Sequence, residues 1–111
     1  MIQSSGKLFA SYLPMMKKQK YYVYILKCSG NTLYVGYTQN LKNRLLWHRS
    51  GFASQHTSAR LPVLLVYYEE HPDENCAQRR ENQIKRWSGL KKRALIDGDV
   101  NQLRILSKSR E

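Results

Sequence analysis

Two short tyrosine-bearing segments, residues 21–28 and 32–37, constrain this chain more than any other feature. Both are rich in aromatic and β-branched residues, and only Ser29-Gly30-Asn31 separates them. That turn-prone triplet between two strand-forming runs predicts an antiparallel hairpin. By the two-residue period of a strand, Tyr22, Tyr24, Leu26 and Cys28 share one face.

The residues that follow supply the elements to cover such a hairpin. Thr38 or Asn40 can cap a helix reaching about Ser50, with Gly51 as its stop. Residues 52–60 form a polar loop, and 62–70 a third strand whose Pro62 stands at the beginning, where a missing donor does little harm. Asp73 caps a second helix through about Trp87, and Ser88 a third from Gly89 or Leu90 to Asp97, ended by Gly98. The expected fold is α+β: a small three-stranded antiparallel sheet flanked by helices, in the order β-β-α-β-α-α. It occupies residues 21–104. Residues 1–20 are expected to be a disordered tail and 105–111 a C-terminal tail; Met15-Met16-Lys17-Lys18 would make a second natural start just ahead of the first strand.

Charge narrows the partner. Nineteen Lys and Arg against eight Asp and Glu give a formal +11 on 111 residues, a surplus that favours a polyanion through phosphate attraction and counterion release. Nucleic acid is the first candidate. A membrane surface is disfavoured, because neither a basic amphipathic helix with a continuous apolar face nor a lipidation signal is present, and no apolar run approaches the roughly 20 residues that cross a bilayer. The first twenty residues lack the apolar core and cleavage site of a signal peptide. Cys28 and Cys76 are far apart and form no CxxC pair, so neither zinc nor a disulfide framework is suggested, and a reduced, cytoplasmic compartment fits. A monomer is expected.

Several residue types suit phosphodiester hydrolysis, which needs a group to orient or deprotonate water and positive charge at the phosphate oxygens, often with a divalent metal. On the first helix Leu41, Arg44, Leu45 and His48 fall at i, i+3, i+4 and i+7, so a basic pair shares the leucine face. The plainer account of Arg44 is a stem laid over the sheet with its head in water. Glu81 lies at the margin of the Ala77, Ile84 and Trp87 stripe of the second helix; its plainer account is a surface pair with Lys85, worth about 0.2–0.5 kcal/mol. Tyr24 and Tyr34 could equally be amphipathic sheet residues, and a lone His48 a structural one.

The order Tyr22-Val23-Tyr24, Tyr34-Val35-Gly36, Arg44 and Glu81 resembles the GIY-YIG nuclease domain, over roughly Tyr21 to Leu103. The chain resembles the small single-domain branch of that superfamily, similar to the catalytic module of the excinuclease C subunit. Tyr22 stands where the family name has Gly, and Val35 replaces Ile. The resemblance implies an endonuclease that hydrolyses DNA phosphodiester bonds with Mg²⁺ or Mn²⁺. It implies that Arg44 contacts the scissile phosphate, that Glu81 is the single metal-binding carboxylate, that Tyr24 and Tyr34 belong to the active site, and that His48 is the base or its helper. One carboxylate suffices for Mg²⁺, which keeps several waters and takes further oxygens from phosphate.

Gly36 permits close approach of backbone or substrate, and Tyr37 beside it is a candidate phosphate contact. Lys85, Arg86, Lys91, Lys92 and Arg93 surround Trp87, itself expected in the core, as phosphate-binding charge. Lys42, Arg49, His56 and Arg60 would extend a basic rim around the catalytic face. No base-reading module is present, so binding should follow backbone and shape, on repair or recombination intermediates. RNA is a second acceptable polyanion. The rival expectation is a noncatalytic nucleic-acid-binding module on the same scaffold.

Overall fold

The hairpin forms as its residues require in the computed structural model, which describes residues 19–50 and 62–108. β1 (Tyr21–Cys28) and β2 (Thr32–Thr38) pair antiparallel, with Tyr24 opposite Gly36 and Leu26 opposite Tyr34. Gly30 (φ 83°) and Asn31 (φ 63°) both turn through the left-handed region, which glycine enters freely and asparagine tolerates. β3 (Val63–His71) adds to the other side of β1, giving the order β2-β1-β3 and leaving β2 as an edge. The central position explains the unbroken apolar run of β1: Val23, Tyr24, Ile25 and Leu26 are all buried, because both faces of the sheet are covered.

Local signals start and stop the helices. In α1 (Leu41–Arg49) the Asn40 side chain accepts the Asn43 amide at 3.0 Å. Asp73 does the same for Cys76 at 2.8 Å in α2 (Glu74–Lys85), and Ser88 for Lys91 at 3.2 Å in α3 (Gly89–Asp97), which ends on left-handed Gly98. Each such cap is worth about 1 kcal/mol.

A further helix, α4 (Val100–Lys108), follows the expected β-β-α-β-α-α order and crosses the boundary drawn between residues 104 and 105. Asp99, directly after the Gly98 stop, accepts the Gln102 amide at 3.0 Å and starts a new helix that runs on into the expected tail. The expected Gly51 stop, the 52–60 loop and the tail up to residue 18 lie outside the described residues.

The sheet's two faces differ. On one, Val23, Ile25 and Val35 pack against Ala77 and Ile84 of α2, with Trp87, Leu95 and Ile96 around them. On the other, Tyr24, Leu26, Cys28 and Val63 pack with Tyr34, Leu65 and the α1 residues Leu41 and Leu45. Glu69, opposite Val23, ties α2 to β3: it receives Arg80 Nε at 2.8 Å and the Tyr67 hydroxyl at 2.6 Å, and lies 2.7 Å from His71 Nε2. Cys28 is buried and Cys76 half-buried, and neither is in a disulfide.

Candidate active site

The cleft at the open edge of β2 is created by a missing side chain. Tyr24 stands on the central strand directly across from Gly36, and its ring lies over that glycine so closely that a Cβ there would fall 2.5 Å from the Tyr24 hydroxyl oxygen. Glycine therefore lets a side chain rooted in the middle of the sheet present its hydroxyl at the edge. The cleft that results has a volume of about 590 Å³.

Four of the five residues expected to be catalytic line it: Tyr24 from β1, Tyr34 from β2, Arg44 from α1 and Glu81 from α2. Gly36 and Tyr37 line it as well. His48 stands one layer behind. It is 1% exposed, the only buried side chain of α1, and its Nε2 is 2.9 Å from the Tyr24 hydroxyl oxygen, with its ring edge-on to Tyr34 at 4.9 Å between centroids. Arg44 stacks its guanidinium 4.8 Å from the centre of the Trp47 ring.

Burial sets the protonation of this pair. Removal from water lifts the Tyr24 hydroxyl far above the ordinary phenol value, Tyr34 adds to the rise, and neighbouring Arg44 opposes it. Burial, and secondarily the Arg44 charge, lower the His48 imidazole below its ordinary value. At neutral pH the cleft therefore presents a neutral phenol bonded to a neutral imidazole.

Glu81 makes the expected surface pair and also lines the cleft. Its carboxylate pairs with Lys85 at 3.4 Å, the i,i+4 bridge, yet the side chain is only 12% exposed and turns into the cleft. A second carboxylate that sequence reasoning missed, Glu74, lies on the same wall two helical turns earlier and accepts the Tyr37 hydroxyl at 3.0 Å. The spacing of seven residues from Glu81 was the available signal, since i and i+7 share a helix face. Among the described residues no cluster of three or more His, Cys, Asp and Glu side chains could hold a metal by itself.

The remaining basic candidates divide. Lys42 and Arg49 are exposed on α1, and Lys85 is held at Glu81. Lys91 and Lys92 do not reach the cleft. Lys91 is 4% exposed, with its ammonium 4.3 Å from the centre of the Trp87 ring, because the aliphatic stem packs inward from α3. Half-buried Lys92 loses affinity for its proton through desolvation. Trp87, expected in the core, is half-buried against it, with Arg80 also stacked on its ring at 5.2 Å. The rim residues His56 and Arg60 lie outside the described residues.

Residues 20–94 match the family of the GIY-YIG catalytic domain. The chain is 44% identical to a UPF0213 protein of Staphylococcus haemolyticus over 78 residues, 70% of this chain and 95% of the other. Against a UPF0213 protein of Bacillus pumilus the identity is 40% over 82 residues, 74% and 84% of the two chains. The solution NMR structure of a UPF0213 protein from Bacillus halodurans is 36% identical, covers 70% of this chain and 83% of that one, and superposes with a TM-score of 0.47.

Proposed function

The chain belongs to the GIY-YIG catalytic domain family, and from that premise we propose that it is a metal-dependent endonuclease that hydrolyses DNA phosphodiester bonds, acting on repair or recombination intermediates by their structure. The observation that carries this reading is the meeting of Tyr24, Tyr34, Arg44 and Glu81, from four separate elements, in one cleft at the β2 edge.

Each side chain has a task that its surroundings suit. Arg44 faces the cleft with a permanent charge and stabilises the negative charge that builds on the phosphoryl oxygens. Tyr24 is too reluctant an acid to act as a free phenolate at neutral pH, so it works as a relay: its oxygen takes a proton from the attacking water while its own proton passes to His48 Nε2, 2.9 Å away. The depressed basicity of His48 keeps that nitrogen open to receive it. Tyr34 packs its ring against both partners and fixes their orientation.

The donor set fits a hard, hydrated divalent cation, with the Glu81 carboxylate as anchor and Glu74 nearby on the same wall. When bound, Mg²⁺ or Mn²⁺ supplies Lewis-acid charge at the phosphate oxygens. Glu81 alone is a weak anchor, so metal affinity should be low until DNA phosphate adds its oxygens.

The test is incubation of the full chain with linear, nicked, flapped and branched DNA, and with RNA, in Mg²⁺ or Mn²⁺ and in chelator. Metal-dependent products that disappear in Glu81→Ala, with DNA binding largely kept, are expected. Cleavage by Glu81→Ala at the parent rate overturns the assignment, and salt-sensitive binding with no products on any substrate makes the protein a noncatalytic binder.

A further inference from the structure

The catalytic cleft is the wrong place to look for the protein's grip on DNA. Its lining carries one cation, Arg44, against two carboxylates, Glu74 and Glu81, so its own side chains give a polyanion little to hold despite the chain's net +11. The opposite flank of α2 is built the other way. A second concavity of about 490 Å³ is lined by Arg79, Asn82, Gln83, Arg86, Trp87 and Lys91, with three cations and no acid.

Its parts are held in place. Arg79, Asn82 and Arg86 fall at i, i+3 and i+7, an exposed stripe turned away from the Ala77 and Ile84 core face. Arg80, anchored on Glu69, donates to Gln83 Oε1 at 2.8 Å and stacks on one side of the neighbourhood of Trp87, while the Lys91 ammonium lies over the same ring. The floor is therefore a fixed indole with fixed positive charge, and the wall offers two arginines and two amides that can donate to phosphate oxygens.

We propose that this outer flank of α2, closed by Trp87 and Lys91, is a second nucleic-acid site that grips backbone phosphates outside the catalytic cleft and supplies the affinity the cleft lacks. The proposal rests on reading the chain as a nucleic-acid enzyme. Arg79 and Arg86, seven positions apart, are separated by about 10.5 Å along the helix axis, enough to engage two separate phosphates. A helix with its side chains is about 10–12 Å across, so a strand whose scissile phosphate sits in the cleft reaches the second site within about three or four nucleotides.

The test measures anisotropy of a labelled flapped DNA duplex with the full chain, in a Glu81→Gln background so that nothing is cut, at 50 to 200 mM salt. Arg79→Gln with Arg86→Gln should weaken binding and flatten the plot of log affinity against log salt by about two, so that the parent loses about ten-fold more affinity than the variant across that range. Arg104→Gln with Lys108→Gln, two exposed charges of α4, should leave most of the slope. Arg79→Lys with Arg86→Lys should restore it. In the Glu81 background, the Arg79 and Arg86 sites are exposed, so an unchanged melting curve is expected and verifies the fold. An unchanged slope in the Gln pair, or an equal loss in the α4 control pair, overturns the second site. Those results leave the nuclease reading standing, whereas absence of cleavage by the parent sinks that reading without touching the binding measurement.

Discussion

The two faces of one strand divide the work of this molecule. Val23 and Ile25 point to a face where every buried neighbour in the cluster is aliphatic, while Tyr24, one residue away and equally buried, points to a face that also buries an imidazole. The first face contributes stability through area removed from water, about 1.5–3 kcal/mol for each large side chain. The second must satisfy a hydroxyl and a ring nitrogen, and does so by pairing them with each other. Helix α2 joins the two regimes: Ala77 and Ile84 seat it on the aliphatic face, and Glu81, at the margin of that stripe, reaches the cleft at the β2 edge. The same helix therefore carries a packing stripe for one side of the sheet and a carboxylate for the other.

The sharpest way to break this division is at Gly36. Alanine there would place a methyl 2.5 Å from the Tyr24 oxygen and 2.7 Å from its ring carbon Cζ, so the tyrosine must move and its contact with His48 must open. Gly36→Ala is expected to reduce cleavage at least 100-fold and to cost about 1–3 kcal/mol of stability, because a fully buried tyrosine must move. Tyr24→Phe, which removes the same hydroxyl without a clash, should fall in the same range of about 10²–10⁴. Cleavage by Gly36→Ala at the parent rate would sink the idea that the hydroxyl matters at this edge.

The converse change comes next in size. Ile84→Ala empties a fully buried position on the aliphatic face and should cost about 2–5 kcal/mol, measured by denaturant titration. Cleavage per folded molecule should stay near the parent value at low temperature. If it drops as far as in Tyr24→Phe, the faces are not separable.

How much of this arrangement was visible in the chain depends on the range of the signal. The hairpin was legible because strand period and turn chemistry are local, and the helix starts because Asn40, Asp73 and Ser88 are local caps. The placing of Arg44 and Glu81 beside their apolar stripes was legible too, from the helical period. The order β2-β1-β3 was not, since nothing local says which strand takes the centre; only the continuous apolar run of β1 hints at it. Glu74 was hidden by its role as an ordinary first-turn acid. Lys91 reads in the sequence as a solvated lysine of a basic run, and its burial against the indole of Trp87 is a tertiary effect that no local pattern signals. Helix α4 was lost because a glycine stop and a new aspartate cap stand side by side.

The smallest effect separates the two faces by pH. His48 binds its proton less readily folded than unfolded, so its contribution to stability is present above the ordinary histidine value of 6.5 and is lost as pH falls below it. Glu69, on the aliphatic side, behaves in the same sense but lower down: burial alone would raise its carboxyl, and hydrogen bonds from Tyr67, Arg80 and His71 outweigh that and hold it below 4.5. Its contribution is therefore intact until pH falls through the carboxylate range. A stability curve from pH 8 to pH 3 should show a first decline beginning near 6.5 that His48→Gln flattens, and a second below 4.5 that His48→Gln leaves alone. A first decline that persists in His48→Gln would mean that the aromatic face does not bury its imidazole in the neutral form, and the relay through Tyr24 would lose its acceptor.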